Sequence, residues 1–125
     1  MKRTVFFGLA LLAMSIGAMQ NANAGSAVAM EPRHCNLATA YGGPVEREKA
    51  RALNNARRLY GNDVRIIAAT DVTGYGAIAV GRWRDRFVVG VVLGKRSATE
   101  ADTLAIARCL KAGGRNPQVK WAFRG

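Results

Sequence analysis

The apolar run near the N-terminus most constrains this chain, because it decides how much of the sequence is left to fold. Lys2 and Arg3 precede the run, which spans residues 5–19, and small polar residues follow it up to Ala24. This order is typical of a cleavable secretory signal, with Ala22 and Ala24 as the small residues at the cleavage positions. The run is shorter than the ~20 residues of a membrane-spanning helix. We therefore expect residues 1–24 to be a signal peptide and the product to be periplasmic or secreted.

The remaining residues, 25–125, are enough for one small domain with a hydrophobic core. The whole chain has a formal net charge of +11, and loss of Lys2 and Arg3 leaves +9, carried mostly by arginine. A basic domain suggests nucleic acid as a partner, but outside the cytoplasm acidic proteins and envelope polymers are the more abundant anions. We expect a binding module for an acidic protein or an anionic envelope polymer, with no membrane span after cleavage. A nucleic-acid binder is an alternative.

Residues 25–125 contain two cysteines, Cys35 and Cys109, and no CxxC spacing or histidine cluster. In an oxidising compartment this pair favours a disulfide over a metal site, and two separate buried thiols are the alternative. His34 adjoins Cys35 and suggests a thiol nucleophile with a nearby base. Adjacent side chains rarely reach each other for proton transfer, and no catalytic motif surrounds them. We expect no catalytic residue, metal or cofactor, and the alternative is a small envelope enzyme whose cleft the sequence does not reveal.

The residue patterns predict an N-terminal arm over residues 25–43 and a single α+β domain over residues 44–125. The elements predicted in the domain are a helix over 44–60, strands over 64–70, 75–80 and 87–93, a helix opened by a capping box at Ser97–Glu100, and a strand over 117–123. We expect the three middle strands to form an antiparallel meander. Both helices then pack on one small sheet.

A weak internal repeat runs through this layout. Five residues of the first helix match five of the second at a constant offset: Ala50, Leu53, Ala56, Arg57 and Leu59 with Ala101, Leu104, Ala107, Arg108 and Leu110. A strand follows each helix. The matches suggest a duplicated helix–strand unit, with chance similarity of common residues as the equal alternative.

The second half of the chain carries a more specific pattern. Residues 75–80 read YGAIAV, and a later helix begins at Ser97 and presents Ala101, Ala105 and Cys109. In this order and spacing, residues 75–123 resemble the exported bacterial module called domain of unknown function 4189. The resemblance implies a hairpin followed by a cysteine-bearing helix in an exported protein, and no general activity. The family has further cysteines after this helix, whereas here only Cys35 is left to pair with Cys109.

The best candidate binding segment is the run Arg82, Trp83, Arg84, Asp85 and Arg86 between two strands. If this segment is extended, its three arginines share one side, and their forked guanidinium groups suit phosphate or carboxylate. Trp83 would face the other way or pack over the hairpin edge. The alternative is a solvated turn without a function.

A second basic stripe is expected on the polar face of the first helix. It consists of Arg47, Arg51 and Arg58. Like charges at this spacing slightly destabilise a helix, so an anionic partner would relieve a cost. Most such stripes are merely solvated faces, and that alternative stays open.

Overall fold

The computed structural model describes residues 24–124, so all of the predicted signal peptide except Ala24 lies outside the described residues. The elements are β1 Ser26–Glu31, β2 Asn36–Tyr41, α1 Val45–Tyr60, β3 Arg65–Thr70, β4 Tyr75–Trp83, β5 Arg86–Lys95, α2 Ala98–Lys111 and β6 Arg115–Arg124. Neither of these two helices has the length and apolar character needed to cross a membrane.

The six strands form two antiparallel three-stranded sheets, in the orders β2-β1-β3 and β5-β4-β6. The α+β content agrees with the sequence, but the prediction of one sheet built on a three-strand meander is wrong. Strand β3 pairs with β1, in the register Ala27↔Ala69, and not with β4. The missing strand β1 comes from residues 25–43, which form a β-hairpin instead of an extended arm. All six β1 residues are buried, which makes it a central strand.

The chain contains the same unit twice, each a hairpin, a helix and a third strand. A β-bulge falls at the same place in both units. In the first unit Ile67 has no pairing partner, because Val28 and Ala29 pair with the residues on either side of it. In the second unit Lys120 has no partner between the residues that pair with Ile78 and Ala79. The two helices correspond at an offset of 53 residues, which is the distance along the sequence between their first residues, Val45 and Ala98. The alignment of the two helices predicted from the sequence, which matched Ala50 with Ala101, was therefore two residues out of register.

Each helix lies very close to its own sheet because the residues between them are small. Ala52 and Ala56 of α1 pack on Ala27 and Ala29, all fully buried. The second core has the same character, with Ala101, Ala105 and Cys109 of α2 on Ala77, Ala79 and Val92. A Cβ atom on Gly90 would collide with the carbonyl oxygen of Ala105 and lie 2.5 Å from the Cys109 nitrogen. Only glycine permits this approach.

The two sheets pack against each other through the faces that the helices leave free. Val28 and Ile78 point away from their helices, because side chains alternate along a strand, and yet both are fully buried. Tyr41 of the first unit stacks on Phe123 of the second, with ring centroids 5.1 Å apart. At the other end of the strands, the Cys35 thiol donates to the Phe87 carbonyl at 3.3 Å. The layers are helix, sheet, sheet and helix.

The bulge at Lys120 changes which face of β6 each residue occupies. Val119 pairs with Ala79 on the helix side, whereas Trp121 and Phe123 pair with Ile78 and Gly76 on the side of the other sheet. A regular strand would have put all three on one side. Without the bulge, Phe123 could not stack on Tyr41.

We predict that Gly90→Ala destabilises the protein by about 1–3 kcal/mol, because the new methyl group meets the α2 backbone, which cannot rotate away. The measurement is the urea midpoint of unfolding, followed by circular dichroism. Gly76→Ala is the matched control, since its methyl group meets the side chains of Phe123 and Leu93 instead. It should cost less. Equal midpoints for Gly90→Ala and the unchanged protein would contradict a tight helix–sheet contact.

Candidate functional site

Strands β4 and β5 are joined by a two-residue turn at Arg84 and Asp85. Trp83 pairs with Arg86, and Arg82 with Phe87, so pairing continues up to the turn. Arg84 has φ of +59°, a left-handed conformation that arginine rarely adopts. The predicted run of three arginines is thus folded back on itself. Arg86 pairs with Trp83 and lies on the same face of the hairpin as Trp83, whereas Arg82 lies on the opposite face, so the expectation that the three arginines share one side is wrong.

The guanidinium groups at this hairpin lie over aromatic rings. Arg82 lies 4.9 Å from the Phe87 ring centroid, and Arg84 lies 5.0 Å from that of Trp83. Arg115, from the start of β6, covers Trp83 as well, at 5.6 Å. Such contacts are worth about 0.5–1 kcal/mol at exposed sites. They hold the charged groups in place while leaving their N–H donors available to an anion.

An open groove of ≈ 510 Å³ lies beside Trp83. It is lined by Trp83, Leu110, Gly113, Gly114, Arg115 and Asn116. Trp83 is 40% exposed, Leu110 54% and Phe87 48%, so apolar surface accompanies the arginines. The sequence did not single out Phe87, Leu110 or Arg115. Phe87 could have been found as the residue opposite Arg82, whereas the other two come from distant segments.

Both hairpin turns and the last turns of both helices lie at one end of the sandwich, which we call the hairpin end. Cys35 beside Phe87 joins the two turns, and Arg65 pairs with Met30 there. The basic residues at this end are Arg33, Arg57, Arg58, Arg65, Arg82, Arg84, Arg86, Arg108, Lys111 and Arg115, against the acidic residues Glu31, Asp63 and Asp85.

The opposite end, with the helix starts and the loop from Thr70 to Tyr75, is balanced. Its basic residues are Arg47, Lys49, Lys95, Arg96 and Arg124, and its acidic residues are Glu46, Glu48, Asp71, Glu100 and Asp102. The excess positive charge of the domain is therefore concentrated at the hairpin end. Clustered charge of one sign raises the local concentration of oppositely charged partners.

One carboxylate pairs with two of the three arginines in the predicted stripe on α1. Arg51 Nη1 donates to Glu48 Oε1 at 2.6 Å, and Arg47 Nε lies 3.6 Å from Glu48 Oε2. Only Arg58 of the three predicted arginines makes no ion pair with another described residue. That Arg47, Arg51 and Arg58 bind an anion stays a prediction, and Arg47 and Arg51 have a structural role as well.

The first hairpin turn is organised around Glu31. Burial alone would raise the pKa of this carboxyl, but hydrogen bonds from the backbone N–H groups of Arg33 and His34 outweigh it, so the pKa lies below its ordinary value. His34 Nδ1 lies 3.2 Å from Glu31 Oε1. Burial, aided by Glu31, raises the pKa of the Cys35 thiol, although nearby Arg86 lowers it. A raised thiol pKa is the reverse of what a nucleophile needs.

Cys35 and Cys109 are free thiols in the structure, contrary to the predicted disulfide. Cys109 is fully buried between α2 and its sheet, where its thiol donates to the Val88 carbonyl at 3.3 Å. The Cys35 thiol donates a hydrogen bond to the carbonyl of Phe87, the residue before Val88. The physical reason is that Cys109 fills the core between α2 and its sheet, beside Gly81 and Gly114, on the opposite face of that sheet from the first hairpin.

Within residues 24–124, no group of three or more histidine, cysteine or acidic side chains is placed to hold a metal ion. Comparison with protein families, curated proteins and solved structures gives no match to this chain. The resemblance to domain of unknown function 4189 thus stays a prediction.

We predict that non-reducing peptide mapping of the native protein finds no peptide that joins Cys35 to Cys109. Cys35 should react slowly with iodoacetamide at pH 7, and its rate should reach half-maximum above the ordinary thiol value of ~8.5, because burial raises its pKa. Cys109 should react only after unfolding in urea, which serves as the internal control. A cross-linked peptide in freshly isolated protein would overturn the free-thiol arrangement.

Proposed function

We propose that the protein is an exported, non-catalytic binding module that holds an acidic protein against its hairpin end. The single observation that carries the proposal is that three guanidinium groups are held over Trp83 and Phe87, which lie on the two faces of one hairpin tip. Forked guanidinium groups form paired hydrogen bonds with carboxylates. In this proposal the protein is exported and cleaved after residue 24, so periplasmic or extracellular proteins are the available partners.

The arrangement favours a protein over an anionic polymer or a nucleic acid. Contact surfaces between proteins are enriched in tryptophan and arginine, and exposed Trp83, Phe87 and Leu110 would add apolar area that a uniform polyanion does not need. Arginine side chains already cover one face of Phe87 and of Trp83, which bases or sugars would otherwise use for stacking.

We predict that the triple variant Arg82→Ala, Arg84→Ala and Arg115→Ala loses most partner binding but stays folded, with its urea midpoint lowered only by the loss of three cation–π contacts. Each such contact contributes about 0.5–1 kcal/mol to stability, whereas truncating an arginine at the centre of a contact surface costs about 2 kcal/mol or more of binding free energy. The measurement is stoichiometric capture of an envelope protein by the immobilised domain, with binding then quantified on the purified partner. Added salt should weaken binding by screening.

The matched control is Lys95→Ala, Arg96→Ala and Arg124→Ala, which removes equal charge from the opposite end. It also removes one stacked arginine, since Arg124 lies 5.3 Å from the Tyr75 ring. The control should retain most of its affinity. Equal losses in both triple variants would mean that net charge alone drives binding, and capture of a polymer in place of a protein would contradict the partner class.

A further inference from the structure

Glu48 is the one charged residue among the buried positions of α1 and α2. Its side chain is 0% exposed and it follows the same spacing as Ala52 and Ala56 along α1. The equivalent residue of the second unit is Ala101, which is apolar and fits among the small residues between α2 and its sheet. A carboxylate at this position costs free energy unless each of its oxygens has a partner.

Only one of the two Glu48 oxygens is fully satisfied. Oε1 accepts the short hydrogen bond from Arg51, whereas Oε2 has no hydrogen-bond partner among the described residues. Arg47 Nε, at 3.6 Å, is the other charge near Oε2. Of the strands packed on α1, β1 carries Glu31 and β3 carries Arg65, both at the hairpin end. Tyr41 of β2 faces the other sheet.

Gly43 brings this orphaned oxygen close to the start of the predicted mature chain. The Gly25 nitrogen donates to the Gly43 carbonyl at 2.7 Å. A Cβ atom on Gly43 would lie 2.5 Å from Glu48 Oε2 and would also meet the Arg47 guanidinium group, so both charged groups lie against Gly43. Gly25 is buried and shares the helix-facing side of its strand with Ala27. The nitrogen of Gly25 and the carboxylate of Glu48 thus lie against the same residue.

We infer that Glu48 is a binding site for the α-ammonium group of Gly25, which is created by cleavage of the signal peptide. The inference rests on cleavage after Ala24 and not on the proposed binding function. Hydrolysis adds water across the Ala24–Gly25 bond, so that Ala24 leaves as a carboxylate and the Gly25 nitrogen becomes an ammonium group.

The cleavage changes the number of hydrogen bonds that this nitrogen can donate. As an amide, the Gly25 nitrogen has one N–H, and this already donates to the Gly43 carbonyl. As an ammonium it has three, and those not bound to Gly43 can serve Glu48 Oε2. The mature chain therefore gains an ion pair that the precursor cannot form, so removal of the leader stabilises the fold.

The test uses a chain shown by intact mass to begin at Gly25 and compares it with Glu48→Gln, which keeps the size but removes the charge. The α-amino pKa, measured by NMR titration, should lie about one unit above its ordinary 7.7–8.0 in the unchanged protein, a tenfold shift, and near the ordinary value in Glu48→Gln. Glu46→Gln is the control, because Glu46 is in the same helical turn but 80% exposed. It should leave the pKa nearly unchanged.

The stability of the fold should follow the same titration. A group whose pKa is raised by folding contributes its full stabilisation below its unfolded pKa and loses it as the pH rises through the folded pKa. The urea midpoint of the chain beginning at Gly25 should thus fall between about pH 8 and pH 9.5 relative to that of Glu48→Gln.

A second comparison keeps the inference testable if Glu48→Gln does not fold. A chain that begins at Ala24 moves the ammonium group one residue away, so it should show an ordinary α-amino pKa and a lower urea midpoint. Equal pKa values in the two chains, an equal fall in Glu46→Gln, or an exported product that begins elsewhere than Gly25 would each overturn the inference.

Discussion

The close approach of each helix to its sheet is the contact on which the rest of this structure depends. Alanine lines both seams, the layers of side chains between each helix and its sheet, and Gly90 and Cys109 join it in the second, so the helix backbones rest almost directly on the strands. Small residues bury little area each, and at ~25 cal/mol per Å² they contribute less than leucine or phenylalanine would. The fold compensates by packing the opposite sheet faces together, which makes β1 a strand buried on both sides. Neither unit could expose that second face to water without losing much of its buried apolar area.

Repetition of one structural unit explains why the two seams look alike, and comparison of the two units shows where they differ. The bulges at Ile67 and Lys120 and the alanine spacing are common to both units. The hairpin turns differ, because the first is built on the Glu31 carboxylate and the second on arginines stacked on aromatic rings. The seams differ at Glu48, which stands where the second unit has Ala101. Shared features maintain packing, and both proposed sites fall at the differences.

Of the elements described in residues 24–124, the sequence predicted both helices and four of the six strands, because their apolar periodicity is strong and a capping box and glycines mark the helix ends. The first hairpin was missed, since alanine and serine carry little strand propensity and a strand buried on both faces shows no alternation. Without β1, residues 64–70 had no partner except the following strand, and one sheet resulted. A bulge such as that at Lys120 leaves no mark in the residue pattern. Arg82 and Arg84 of the site were predicted from the sequence, but Arg115 and Leu110 join it only through tertiary contacts.

The two proposed sites lie at opposite ends of the molecule. Strand β4 has nine residues, so Tyr75 and Trp83 are separated by roughly 25–30 Å at ~3.3 Å per residue. Gly25 occupies the position in the first unit that Tyr75 occupies in the second, and the hairpin end lies beyond Trp83. This separation exceeds the screening length of ~8 Å at physiological ionic strength, so the proposed ion pair at Gly25 exerts little direct field on the arginines. The two proposals are therefore independent: the one at Gly25 concerns how much of the protein is folded, and the one at the hairpin end concerns the affinity of the folded domain.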